Sequence, residues 1–270
     1  MPDFLFTLTS SLEWVWPLTS VLPPSFRRRA VSDENIAIYA VFYFVDLYFA
    51  LVLAYGAGQS GMNLLFYLPG LAAGAYLAMF ICNVFPRTTW HPLFMGTLLE
   101  PLGITLLAIA IRSSKLHLIY GMLALTGVGT GIRFMPGMLH GVGYYPNHIA
   151  GIMSLIQLSN SLGGTFSTSI MISVFNNKLS GSGISFMNGD AASFDAIAGM
   201  SVQAQEFLRE HAKDGIALAF FAISAFMWLG TVLCAGLGNV RIGKKGEADE
   251  VVRGSYVRSL VRRKGDESEA

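Results

Sequence analysis

The sequence predicts an all-α, polytopic membrane protein with six transmembrane helices. Three observations carry this. Long apolar runs follow one another closely from Asp33 to Val240. Hydrophobic residues make up 53 % of the 270-residue chain and charged residues 13 %, about half the charge a soluble domain uses to cover its surface, and the mean hydropathy is +0.53. There are 29 glycines, which suit tightly packed membrane helices better than a soluble helical core.

Taken in order, residues 1–30 form an N-terminal segment. Phe4–Leu22 is apolar but broken by Glu13 and Pro17, and reads either as an interfacial helix or as the remnant of a preceding span. Pro23-Pro24 break any helix ahead of the basic cluster Arg27–Arg29. Residues 31–240 form the six-helix domain. Its spans are expected at Asn35–Tyr55, Met62–Val84, Pro92–Ile111, Leu118–Leu139, Ile149–Phe175 and Gly215–Leu237, each close to the roughly 20 residues a helix needs to cross a bilayer. Only Gly56–Gly61 separates the first two, so these should be antiparallel neighbours. Residues 176–214 read as an extramembrane loop, with Val202–Lys213 as a short amphipathic surface helix. The tail, 241–270, is charged, lacks apolar periodicity and is expected to be disordered.

Several function classes are excluded. A net charge of +1 offers no field for nucleic acid. Cys82 and Cys234 fall inside apolar runs and read as buried hydrophobes. No His/Cys set has metal-ligand spacing, and no cofactor is implied. There is no GxSxG, HExxH or P-loop, so the chain does not read as an enzyme. The basic residues orient the spans. Placing Arg27–Arg29 in the cytoplasm puts Arg87 and eight tail residues on the same side, against Arg112, Lys115, Lys178, Arg209 and Lys213 opposite. Both termini are then cytoplasmic.

Several stretches, in order, carry a resemblance: Pro23–Arg29; Gln59-Ser60-Gly61 with Phe66–Gly70; and Gly127–Gly137 followed by Asn160–Thr165. Together they resemble the C-terminal half of a major facilitator superfamily transporter of the fungal drug:proton antiporter type, over roughly residues 23–240. The resemblance implies helices seven to twelve of a twelve-helix fold and proton-coupled efflux of small organic solutes. It places the chain in a plasma or vacuolar membrane. Transport in that family uses two halves that rock around a central site. The expected partners are therefore the lipid bilayer, a small-molecule substrate, protons, and a missing N-terminal half, a second copy or another membrane protein. A non-transporting truncated chain or a partner-binding half-unit is the alternative.

Arg133 lies well inside the fourth span, where a charge costs about 2.5–3.5 kcal/mol. It either lines a translocation path or pairs structurally with Glu100 in the third span; snorkelling to an interface is the other structural reading. Glu100 and Asp46 are carboxylates within spans that are candidates to take up and release a proton. Asp46 alternatively sits wet in the outer half. Gln157, Asn160 and Ser161 share part of a face of the fifth span, where they either join helices by hydrogen bonds or touch substrate; the resemblance favours a pore-facing role. Tyr67, Pro69 and Gly70 read as packing and kink residues, with Tyr67 also a candidate contact to substrate. Gly70 and Gly74 have GxxxG spacing, a mark of close helix packing. His140 and His148 read as surface groups flanking a wet turn.

Overall fold

A computed structural model describes residues 36–83, 88–180, 201–241, 250–252, 255, 256 and 259. The basic cluster at 27–29, Arg87, the first 30 residues and most of the tail lie outside the described residues.

The described residues form seven α-helices and one small ribbon. The helices are α1 (Ile36–Leu47), α2 (Ala57–Leu64), α3 (Tyr67–Asn83), α4 (Trp90–Arg112), α5 (Leu116–Tyr144), α6 (Ile149–Ser180) and α7 (Val202–Ala235). Strands β1 (Asn239–Arg241) and β2 (Glu250–Val252) pair antiparallel. Four segments are long and apolar enough to cross a membrane: Ala57–Asn83, Trp90–Arg112, Leu116–Tyr144 and Val202–Ala235. Two expected spans fall outside that set. The first is a shorter apolar helix, in which α1 runs into a π-helical turn at Tyr48–Val52 and stops before Ala54, whose φ of 56° ends any helix. The fifth, α6, is 32 residues long, but the Ser, Thr, Asn and Gln that recur along it dilute its apolarity.

Prolines explain the interruptions. Pro69 has no N–H for the carbonyl of Leu65 and its ring crowds that carbonyl. The helix breaks at Leu65–Phe66, and Leu68 N–H donates to Leu65 O instead, at 3.1 Å. Pro101 lies inside α4 and leaves Thr97 O without its usual donor. The Thr231 hydroxyl of α7 donates to that carbonyl, so the freed acceptor becomes an interhelical tie.

α5 is the central helix, with α3 on one side and α4 on the other; α7 packs on α4 and α6, and α6 on α1. Glycines make the α3–α5 contact close. A Cβ at Gly70 or Gly74 would strike the carbonyls of Ala124 or Val128, and one at Gly127 or Gly131 would strike those of Tyr67 or Leu71. The expected close packing at Gly70 and Gly74 is therefore present. The main apolar core lies between α1, α4, α5, α6 and α7, around Phe44, Phe49, Leu107, Ile119, Phe175 and Phe220.

Two boundaries differ from expectation. Val202–Lys213 is not a separate surface helix, because α7 runs unbroken from Val202 to Ala235. Its start is capped by Ser201, whose Oγ accepts from Ala204 N–H. α5 extends to Tyr144, so His140 is not in a turn but within the helix, 6 % exposed; His148 is exposed as expected. The tail also carries structure where apolar residues recur in it. β1 lays Val240 against Thr89, whose N–H donates to Val240 O at 3.0 Å. Asn239 Oδ1 accepts from the Trp90 N–H at 3.2 Å and so caps α4 from a distant segment. His140 Nδ1 lies 2.8 Å from the Thr89 hydroxyl. Tyr256 packs against the Trp90 ring, which stacks on Phe94.

Candidate functional site

Two polar features stand out within the apolar bundle. The first is a buried cluster where α3, α4 and α5 meet. Arg133 Nε lies 2.7 Å from Glu100 Oε2, with side chains 5 % and 0 % exposed. The Thr130 hydroxyl donates to Glu100 Oε1 at 2.6 Å. Tyr67 OH donates to Thr130 Oγ1 at 2.8 Å. Thr130 has one hydrogen, and the nearby Thr126 carbonyl at 3.1 Å is the longer of its two acceptors. The result is a directed chain, Tyr67 to Thr130 to Glu100, with Arg133 on the other carboxylate oxygen.

Local sequence makes this possible. Thr130 and Arg133 are three residues apart and so share a face of α5. Gly129 lets the Glu100 backbone come against α5, since a Cβ there would lie 2.7 Å from Glu100 Cα. Gly96 makes the same room for Arg133, whose Cβ would be 2.7 Å from a Cβ added at 96. Buried charges persist only when paired and hydrogen-bonded; Oε1 accepts from Thr130, and Oε2 is in ion-pair contact with Arg133. The pairing with Glu100 that the sequence offered as one role for Arg133 is present. A proton on Glu100 would remove the negative charge that Arg133 pairs with.

The second feature is a stripe on α6. Gln157, Ser161, Thr165, Ser169 and Ser173 recur every four residues and all are exposed. Each hydroxyl donates to the carbonyl four residues back: Ser161 to Gln157 at 3.1 Å, Thr165 to Ser161 at 3.0 Å, Ser169 to Thr165 and Ser173 to Ser169 at 2.8 Å. With donors satisfied inside the helix, the stripe presents acceptor oxygens outward. It spans about 24 Å at 1.5 Å per residue, most of a ~30 Å hydrocarbon core.

The sequence-predicted residues thus separate into groups. Arg133, Glu100 and Tyr67 come together, with Thr130 as a member that sequence reasoning missed. Its signal is its position one turn before Arg133 within the Gly-rich run. Gln157 and Ser161 lie on the α6 stripe, whereas Asn160, at its edge, is buried, 6 % exposed. Asp46 is half-buried on α1. Among the described residues, no cluster of three or more His, Cys, Asp or Glu could hold a metal ion. No family model matches the chain, and no curated protein matches it.

Proposed function

We propose that the chain is a transport unit in a membrane: a six-span bundle equivalent to the C-terminal half of the major facilitator fold, with both termini cytoplasmic. It works with a second half or a second copy in proton-coupled efflux of small organic solutes. The observation that carries this is the α6 stripe. Other outward faces are apolar, as lipid requires: Tyr76 and Phe80 on α3, Ile109 on α4, Leu229 and Val232 on α7 are all exposed. A row of outward acceptor oxygens at membrane depth is matched best by an aqueous path or a polar partner.

Counting α1 and α6 as spans follows from the same reasoning. Both pack into the bundle that the four longer apolar segments form, and a helix facing water on one side tolerates lower apolarity. In this reading Glu100–Arg133 locks α4 to α5, and protonation of Glu100 or Asp46 is the candidate coupling step.

Reconstitution tests it. Vesicles carrying the full chain and an imposed pH gradient should move a fluorescent organic cation faster than protein-free vesicles, and the gain should disappear without the gradient. Flux equal to that of protein-free vesicles would overturn transport by this chain. It would favour the second reading, a partner-binding half-unit, in which another protein's helix covers the stripe.

A further inference from the structure

At the end of the bundle opposite the β ribbon, α7 extends beyond its apolar stretch and borders a cavity of about 510 Å³. That volume lies within the ~300–1,000 Å³ typical of small-molecule sites. Its walls include Val52 at the end of the π-helical turn, Ser114 in the α4–α5 turn, and Glu206, Arg209, Glu210 and Lys213 of α7. At 3.6 residues per turn, Glu206 and Glu210 stand in one row and Arg209 and Lys213 in the row beside it. Side chains so placed commonly pair, yet none of these four forms an ion pair among the described residues. Arg209 Nε is shielded from solvent and has no hydrogen-bond partner among the described residues. Acidic and basic groups are thus held side by side around one space, with no ion pair between them among the described residues.

We propose that this cavity binds a small zwitterion of dipeptide size, its carboxylate on Arg209 and Lys213 and its ammonium on Glu206 and Glu210. The two rows fit a molecule lying across the helix axis with one end on each. A net anion would meet the two carboxylates, and a net cation the two basic groups, so the balanced arrangement favours a ligand that carries both charges. Shielding of Arg209 Nε from water strengthens a hydrogen bond from that atom to a carboxylate.

Calorimetric titration of the full chain in detergent with Ala-Ala tests this. Saturable binding at one site per chain is expected. N-acetyl-Ala-Ala lacks the ammonium and Ala-Ala-amide lacks the carboxylate; each should bind about tenfold to a hundredfold more weakly, as loss of a hydrogen bond to a charged group implies. Lys213→Ala and Glu206→Gln should weaken Ala-Ala in the same range, and Glu206 is exposed enough that its replacement leaves folding intact. Absence of saturable binding, equal affinity for the capped peptides, or unchanged affinity in both variants would each overturn the proposal. Binding is read without flux, so its failure and that of the transport reading are separate results.

Discussion

Replacing Arg133 by Met removes the cation from a carboxylate that has no access to water. At 2.7 Å and an effective dielectric of about 20, the gross attraction is roughly 6 kcal/mol. Desolvating both ions offsets much of it, so the pair's net worth is small. The single variant does not recover that offset: it leaves Glu100 buried and unpaired, and such breaks cost about 3–5 kcal/mol. Adding Glu100→Gln removes the orphan charge, while Thr130 still has an amide oxygen to donate to. Most of the lost stability should return, giving a coupling energy of about 2 kcal/mol or more. Unfolding in detergent followed by tryptophan fluorescence reads all four proteins of the cycle. Arg133→Met within about 0.5 kcal/mol of the parent, or strictly additive single effects, would refute the view that this pair holds α4 to α5.

Three further outcomes follow from the packing. Gly131→Ala drives a methyl into the Leu71 carbonyl and should destabilise by about 1–3 kcal/mol in the same unfolding assay, whereas Gly121→Ala, where a Cβ meets open space, should not. Tyr67→Phe loses one donor but leaves the Thr130–Glu100 bond in place, so the expected cost is only about 1 kcal/mol. Asn239→Ala uncaps α4 at a cost of about 0.5–2 kcal/mol; hydrogen exchange should speed at the amides of Trp90, His91 and Leu93 and stay unchanged in the centre of α5.

The helical class and most helix positions were legible because apolar runs of membrane length are a strong signal. The Glu100–Arg133 pairing was legible as an alternative, since two opposite charges stranded in adjacent apolar runs have few other partners. Gly70 and Gly74 likewise announced a close contact, though not that α5 would answer with Gly127 and Gly131. Register within a helix was harder. Gln157 and Asn160 are only about 60° apart around the helix, yet the edge of the packed face falls between them, so one is exposed and the other buried. Thr130 was missed because its one signal, a place one turn before Arg133, gains meaning only once Arg133 is known to face Glu100. Neither the Asn239 cap on α4 nor the contact of His140 with Thr89 was visible, because their partners lie 149 and 51 residues away in sequence, and local pattern carries no record of such returns. The uninterrupted α7 was misjudged for a different reason: charge on one end and apolarity on the other read as two elements, although a single helix crossing from water into lipid shows the same change.

The transport reading depends most on what covers the α6 stripe. The most direct measurement replaces the buried thiols of Cys82 and Cys234 by alanine and introduces single cysteines at Ser161, Thr165, Ser169, Leu229 and Val232. Each variant is treated in intact vesicles with a charged, membrane-impermeant thiol reagent. An aqueous path predicts reaction at the three α6 positions and silence at Leu229 and Val232. Silence at all five positions would contradict the path.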